Sequence, residues 1–135
     1  MRFYSDGGSR GNPGPAAFAI VVVDGGCVVH EAAEYIGEAT NNVAEYRGLI
    51  AALSQALRMG AESPEFLMDS QLVVNQVTGK YRVRSENIRG LHGDAMALFS
   101  LLPGATVKHV RREDPMVSRA DALLNLELDL SQDRK

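Results

Sequence analysis

The chain has 135 residues, of which 45% are apolar and 23% charged, and this is enough to bury one hydrophobic core as a single globular domain. Its net charge of −3 argues against a protein that holds polyanions by overall electrostatics alone. A single cysteine, Cys27, excludes an internal disulfide and favours the reducing cytoplasm. The longest apolar run, residues 16–23, is too short to cross a bilayer, so we expect no membrane association.

The first half of the chain is predicted to form a three-stranded meander followed by a long helix. Asp24-Gly25-Gly26 indicates a hairpin between the second and third strands. Asn42 and Glu45 have the spacing of a capping box, which predicts a helix N-terminus at Asn42. Apolar residues then recur with helical period up to Gly60, where the helix is expected to end. The predicted elements are strands at residues 2–6, 16–23 and 27–35, a Gly/Pro-rich loop at 7–15 and a helix at 43–59.

The second half of the chain is predicted to alternate strands with helices. Asp114-Pro115 is typical of a helix start, with an N-cap followed by proline at the first helical position. A meander followed by helix-linked strands predicts an α/β fold whose mixed sheet is antiparallel on one side, parallel on the other, and covered by helices. We expect one domain over residues 1–130 and a flexible tail over 131–135. The remaining predicted elements are strands at 65–68 and 105–110 and helices at 70–77, 87–101 and 115 to about 128.

Four carboxylates occupy positions where chemistry is expected. Asp6 ends the first predicted strand and Asp69 follows the fourth, so both would emerge at one sheet edge if these strands are parallel neighbours. Glu45 lies in the first turn of its helix, and Asp121 lies beside an apolar helix stripe, where a buried carboxylate is costly without a cation. Each residue also has a structural interpretation: Asp6 as a turn former, Asp69 as an N-cap, Glu45 as a capping-box partner and Asp121 as a surface residue.

Convergence of these four carboxylates would favour a divalent-metal site, because their mutual repulsion calls for cations. Oxygen ligands at this density suit Mg²⁺ or Mn²⁺ better than zinc. The three histidines, His30, His92 and His109, are scattered along the sequence and form no metal motif. Two clusters of basic residues are, taken alone, typical of solvated faces. The first contains Lys80, Arg82, Arg84 and Arg89, and the second contains Lys108, Arg111 and Arg112.

Four segments of the chain resemble, in order, the signature motifs of the ribonuclease H type 1 family. They read DGGSRGNPGP from Asp6, TNNVAEY from Thr40, DSQLVVNQ from Asp69 and RADAL from Arg119. The resemblance spans residues 1 to about 128 and implies a ribonuclease H-like fold with three antiparallel and two parallel strands. It also implies an endonuclease that cleaves the RNA strand of RNA–DNA hybrids by two-metal-ion hydrolysis, leaving 5′-phosphate and 3′-hydroxyl ends.

The resemblance further implies roles for individual residues, although loop and cap geometry would also explain several of them. Two Mg²⁺ ions, with Mn²⁺ as a substitute, would be held by Asp6, Glu45, Asp69 and Asp121. The residues that correspond to RNA contacts, in part through 2′-hydroxyl groups, are Gly7, Ser9, Asn12, Asn41 and Gln71. Thr40 corresponds to a contact with a phosphate of the DNA strand.

The chain departs from the family pattern in two places. It lacks the lysine- and tryptophan-rich protrusion of larger relatives, and it contains no tryptophan. The family's mobile histidine after the fifth strand is also missing, because His109 comes too early, which leaves Arg112 and Glu113 as auxiliary candidates. The alternatives are a non-catalytic nucleic-acid-binding module and a nuclease domain of a longer multifunctional protein. We expect a monomer, and leave double-stranded RNA open as a second substrate.

Overall fold

Nine elements make up residues 1–133, which are the residues that the computed structural model describes. The predicted order of strands and helices is confirmed. The elements are β1 (Arg2–Ser9), β2 (Gly14–Asp24), β3 (Cys27–Ala39), α1 (Asn41–Met59), β4 (Glu65–Met68), α2 (Gln71–Val77), α3 (Glu86–Phe99), β5 (Thr106–His109) and α4 (Pro115–Asp133).

The sheet has the strand order β3-β2-β1-β4-β5, with β1 at its centre. The meander strands pair antiparallel, whereas β4 pairs parallel with both β1 and β5, which confirms the predicted mixed sheet. The register pairs Tyr4 of β1 with Leu67 of β4. Two residues further along the chain in each case, Asp6 within β1 therefore lies abreast of Asp69, which follows the carboxyl end of β4. The predictions that β1 ends at Asp6 and that residues 7–15 form a loop are wrong, because β1 stays paired with β2 as far as Ser9 and only residues 10–13 separate the two strands.

Helices cover both faces of the sheet, as predicted, because the central strands are apolar on both sides. Phe3 and Phe66 point to one face and pack with the apolar residues of α1, α2 and α3. Tyr4 and Leu67, the next residues along the two strands, point to the opposite face and pack against α4. The strand period of two thus divides the core into two layers. None of the helices within residues 1–133 has the length and apolar character needed to cross a bilayer.

The N-terminus of α1 differs from the sequence prediction. The N-cap is Thr40, whose hydroxyl accepts a hydrogen bond from Val43 N at 3.2 Å, so the prediction that Asn42 caps the helix is wrong. The capping-box role of Glu45 fails with it, because the Glu45 side chain bonds to Gly7 in β1 instead. A tertiary partner has replaced the local one.

The C-terminal helix is longer than the sequence predicts. It continues to Asp133, whereas we expected it to end at about residue 128 and to leave a flexible tail from residue 131. Leu124, Leu128 and Ser131 follow one another at helical spacing and are all buried, so the buried face itself carries the helix onward. Residues 134–135 of the predicted tail lie outside the described residues.

Candidate active site

Three of the four predicted carboxylates meet at the edge of the sheet. Asp6 comes from the central strand β1, Asp69 directly follows β4, and Glu45 projects from the first turns of α1. One carboxylate oxygen from each lies within 4.8 Å of the others. Asp6 and Glu45 are only 7% and 8% exposed, and Asp69 is half-buried. We refer to Asp6, Glu45 and Asp69 as the carboxylate trio.

The close approach of α1 to β1 depends on Gly7. A Cβ atom at this position would lie 2.3 Å from the carbonyl carbon of Ala44, so there is no room for any side chain at residue 7. The bare backbone also serves the trio directly. Gly7 N donates to Glu45 Oε1 at 2.8 Å and lies 3.1 Å from Asp6 Oδ1, so one backbone amide orients two of the three carboxylates.

The electrostatics of the trio are unfavourable in the metal-free protein. Burial, followed by the negative charge of Asp69, raises the pKa of Asp6 from an ordinary value of 3.8 to about 7. Burial, followed by the charge of Asp6, raises the pKa of Glu45 well above its usual range. The folded chain thus resists full ionisation of these two groups at neutral pH.

The donor set of the trio fits divalent cations. Glu45 Oε2 is buried and has no hydrogen-bond partner among residues 1–133, so one oxygen of the trio is left unsatisfied. None of the ion pairs found within the same residues engages the trio. Three anionic oxygen donors without a basic partner are the ligands that Mg²⁺ and similar hard cations prefer.

Asp121, the fourth predicted carboxylate, stands apart from the trio. It projects from α4, is half-buried, and lines the same pocket of about 390 Å³ that contains the other three. Its negative charge contributes to the raised pKa of Asp6, after burial and the charge of Asp69. The structure thus brings three carboxylates within 4.8 Å of one another and places the fourth elsewhere on the lining of the same pocket.

Among the predicted substrate-binding residues, Gly7, Ser9 and Asn41 line the pocket. The Ser9 backbone amide and hydroxyl both donate to Asn41 Oδ1, at 2.8 and 3.1 Å, so the end of β1 is bonded to the first residue of α1. Asn12 lies just outside the pocket wall, and its Oδ1 accepts a hydrogen bond from Asn41 N at 3.1 Å. These polar groups form one connected rim beside the trio.

Two of the predicted substrate-binding residues, Thr40 and Gln71, do not line the pocket. The Thr40 hydroxyl forms the N-cap hydrogen bond of α1. Gln71 is the exposed first residue of α2, which begins two residues after Asp69.

The two auxiliary candidates lie on the side of the pocket formed by the β5–α4 connection. Arg112 lines the carboxylate pocket and also an adjoining open hollow of about 660 Å³. Glu113 and His109 line only the hollow, together with Asp69, which belongs to both. Arg112 is therefore the nearer of the two candidates to the trio.

Several pocket residues were not singled out from the sequence. Arg10 lies within the glycine-rich motif and reaches α4, where Nη2 forms an ion pair of 2.7 Å with Asp129. Asn125 follows Asp121 by one helical turn, and its Nδ2 donates to the backbone oxygen of Asp121 at 2.9 Å. The helical spacing from Asp121 could have indicated Asn125. Other pocket residues that the sequence had not indicated as part of the site are Gly8, Asn42, Ser70, Leu124 and Leu128.

Comparison with known proteins gives consistent results. Residues 4–125 match the model of the family described as reverse transcriptase-like. The bifunctional protein Rv2228c of Mycobacterium tuberculosis is 51% identical over 98 residues, which are 71% of this chain and 27% of that protein. The chain therefore spans about a quarter of the length of this curated relative.

Two crystal structures are similar over nearly their full length. That of RNase H1 from the halophilic archaeon Halobacterium salinarum has a TM-score of 0.89 and 44% identity, covering 95% of this chain and 96% of that one. That of LC11-RNase H1 in complex with an RNA/DNA hybrid has a TM-score of 0.88 and 37% identity, covering 97% and 98%. The chain belongs to the reverse transcriptase-like family and to the ribonuclease H type 1 family.

Proposed function

We propose that this chain is a metal-dependent endonuclease that cleaves the RNA strand of RNA–DNA hybrids. The observation that carries the proposal is the carboxylate trio, three oxygen donors within 4.8 Å of one another beside an open polar pocket. The similarity to LC11-RNase H1, which was solved with an RNA/DNA hybrid, supports the choice of substrate. Hydrolysis would leave 5′-phosphate and 3′-hydroxyl ends.

The cofactor in this proposal is a pair of Mg²⁺ ions, for which Mn²⁺ can substitute. When bound, such ions activate the attacking water and neutralise charge on the leaving 3′ oxygen. The trio and Asp121 are the ligands we assign. Gly7 N, by bonding Glu45 Oε1 and Asp6 Oδ1, holds two of these carboxylates in place before any ion arrives, which reduces the reorganisation that binding requires.

Recognition of RNA is assigned to the polar rim of the pocket. Ser9, Asn12 and Asn41 form a bonded group at the end of β1, which can present hydroxyl and amide groups to the 2′-hydroxyls of an RNA strand. We assign supporting contacts to Gly7 and Gln71 on the RNA strand and propose that Thr40 meets a DNA phosphate. Because DNA lacks 2′-hydroxyls, this assignment excludes duplex DNA as a good substrate.

Additional contacts with the phosphate backbone are assigned to basic residues outside the pocket. Lys80, Arg82 and Arg84, which we call the basic segment, are all exposed and lie between α2 and α3. We propose that they replace part of the missing protrusion. Arg112, which lines the pocket, would attract the scissile phosphate, and Glu113 beside it would assist proton transfer.

The assembly we propose is a monomer working in the cytoplasm. The only cysteine, Cys27, is unpaired and exposed, as suits a reducing compartment.

A substrate panel tests the proposed function. The purified protein is incubated with end-labelled RNA–DNA hybrid, duplex DNA and double-stranded RNA, each with Mg²⁺, with Mn²⁺ and with EDTA. We expect cleavage of the hybrid with either metal, none with EDTA, and none of duplex DNA. The double-stranded RNA arm decides whether the strand opposite the cleaved RNA must be DNA. Cleavage of duplex DNA at the hybrid rate, or cleavage that survives EDTA, would refute the proposal.

A further inference from the structure

The loop between β1 and β2 is attached on one side to α1. Residues 10–13 separate the two strands, and their ends are tied together by a backbone hydrogen bond from Arg10 N to Pro15 O at 2.8 Å. Asn41, at the start of α1, bonds to Ser9 before the loop and to Asn12 within it. This attachment alone would leave the opposite side of the loop facing solvent.

The second attachment runs to α4 through Arg10. Its Nη2 lies 2.7 Å from Asp129 Oδ1 and 3.3 Å from the backbone oxygen of Asn125, with Asn125 Oδ1 at 3.4 Å. Asp129 lies two turns beyond Asp121 on the same helix. The loop is thus held between α1, which carries one carboxylate of the site, and α4, which carries another.

The exposure of this ion pair indicates what it contributes. The side chains of Arg10 and Asp129 are 40% and 62% exposed, and ion pairs as open as this add little to global stability. Arg10 nevertheless lines the carboxylate pocket, between Ser9 and Asn12 in the chain. The contact therefore matters for the geometry of the loop more than for the stability of the fold.

We infer that Arg10 is a positioning residue, whose ion pair with Asp129 fixes the loop against α4 and holds Ser9 and Asn12 where the RNA strand meets them. This inference rests on the proposed function, because it assigns the loop to substrate binding. It differs from a direct phosphate contact by Arg10, in which Asp129 would only compete with the substrate. The two cases predict opposite effects for the loss of Asp129.

A double-mutant cycle on the full chain separates the two cases. Steady-state cleavage of RNA–DNA hybrid with Mg²⁺ is measured for Arg10→Ala, Asp129→Ala and the double variant. We expect each single change to raise KM about two- to fivefold with kcat within about twofold, and the double variant to be no worse than the worse single. An Asp129→Ala protein whose KM is unchanged or lowered, beside a raised KM in Arg10→Ala, would overturn the inference.

A second measurement does not depend on cleavage. Hydrogen exchange is followed in the substrate-free protein at the backbone amides of Arg10, which donates to Pro15 O, and of Ser9, which donates to Asn41 Oδ1. In Asp129→Ala we expect these amides to exchange at least about threefold faster, because the loop opens more often, while Asp94→Ala on the exposed face of α3 leaves them unchanged. Unchanged exchange in Asp129→Ala would overturn the inference. Failure of the wild-type protein to cleave the hybrid would refute the proposed function and leave this result standing.

Discussion

Replacing Asp6 with Asn should stabilise the metal-free protein at neutral and alkaline pH. In the folded chain, burial and the charge of Asp69 raise the pKa of Asp6 from 3.8 to about 7. At about 1.4 kcal/mol per pKa unit, keeping this group ionised costs the folded state up to about 4 kcal/mol. Asn has the same shape and no charge, and its amide oxygen can still accept the hydrogen bond from Gly7 N.

The expected gain is smaller than that limit, about 2 kcal/mol at about pH 8, because the buried amide group has its own desolvation cost. Between 3.8 and about 7 the folded protein binds more protons than the unfolded chain, so wild-type stability falls as pH rises through this window. This loss of wild-type stability is complete above about pH 7 and absent near pH 4. The advantage of Asp6→Asn should therefore be small at about pH 4 and largest at about pH 8.

Urea unfolding in EDTA at about pH 4, 6 and 8 measures this difference directly. Asp94→Asn, on the exposed face of α3, is the matched control and should show no pH-dependent gain. The electrostatic reasoning fails if Asp6→Asn is no more stable than the wild type at about pH 8. It also fails if the gain is the same at all three values, because packing and not ionisation would then be its cause.

Three further outcomes are expected. Gly7→Ala should destabilise the protein by about 2 to 4 kcal/mol, because the added Cβ would lie 2.3 Å from the backbone of Ala44. The control Gly90→Ala, which has open space around the added Cβ, should not destabilise the protein, and equal melting temperatures for the two variants would contradict the prediction. Neutralising the basic segment should raise KM for the hybrid and flatten its salt dependence, and an unchanged salt slope would make these residues a solvated surface only. Arg112→Ala should lower kcat moderately and His109→Ala very little; a loss in His109→Ala as large as that from removing a carboxylate would assign the proton-transfer role to His109.

The sheet-edge placement of Asp6 and Asp69 could be predicted because it follows from local patterns. Asp69 follows a short apolar strand, Asp6 comes directly after the apolar start of another, and helix-linked strands pair in parallel, so the two carboxylates meet at one edge. The same reasoning gave the order of strands and helices and their distribution over both faces. Strand periodicity and turn residues carry this information within a few positions of each element. The sequence pattern placed the end of β1 too early, because the glycines after Asp6 are typical of a loop and yet remain paired with β2.

Contacts between distant parts of the chain could not be predicted in this way. Glu45 at capping-box spacing satisfies the pattern of a local cap, yet its partner is Gly7 N, 38 residues away. The Arg10–Asp129 ion pair joins residues 119 positions apart. Arg10 lies on a loop, and Asp129 lies on a helical turn beyond the end predicted for α4. Local sequence propensity does not determine such contacts. An acidic side chain can bond to a neighbour in its own helix or to a distant residue, and tertiary packing decides between the two.

The central claim, that the carboxylate trio performs metal-dependent cleavage of the RNA strand, is tested most directly by one comparison. Wild type and Asp69→Asn are assayed on the same end-labelled RNA–DNA hybrid at saturating Mg²⁺, with circular dichroism to establish that both are folded. The account predicts a folded variant whose cleavage rate is reduced about a thousandfold or more, as expected when a metal-binding carboxylate is lost. Cleavage by folded Asp69→Asn at the wild-type rate would contradict it.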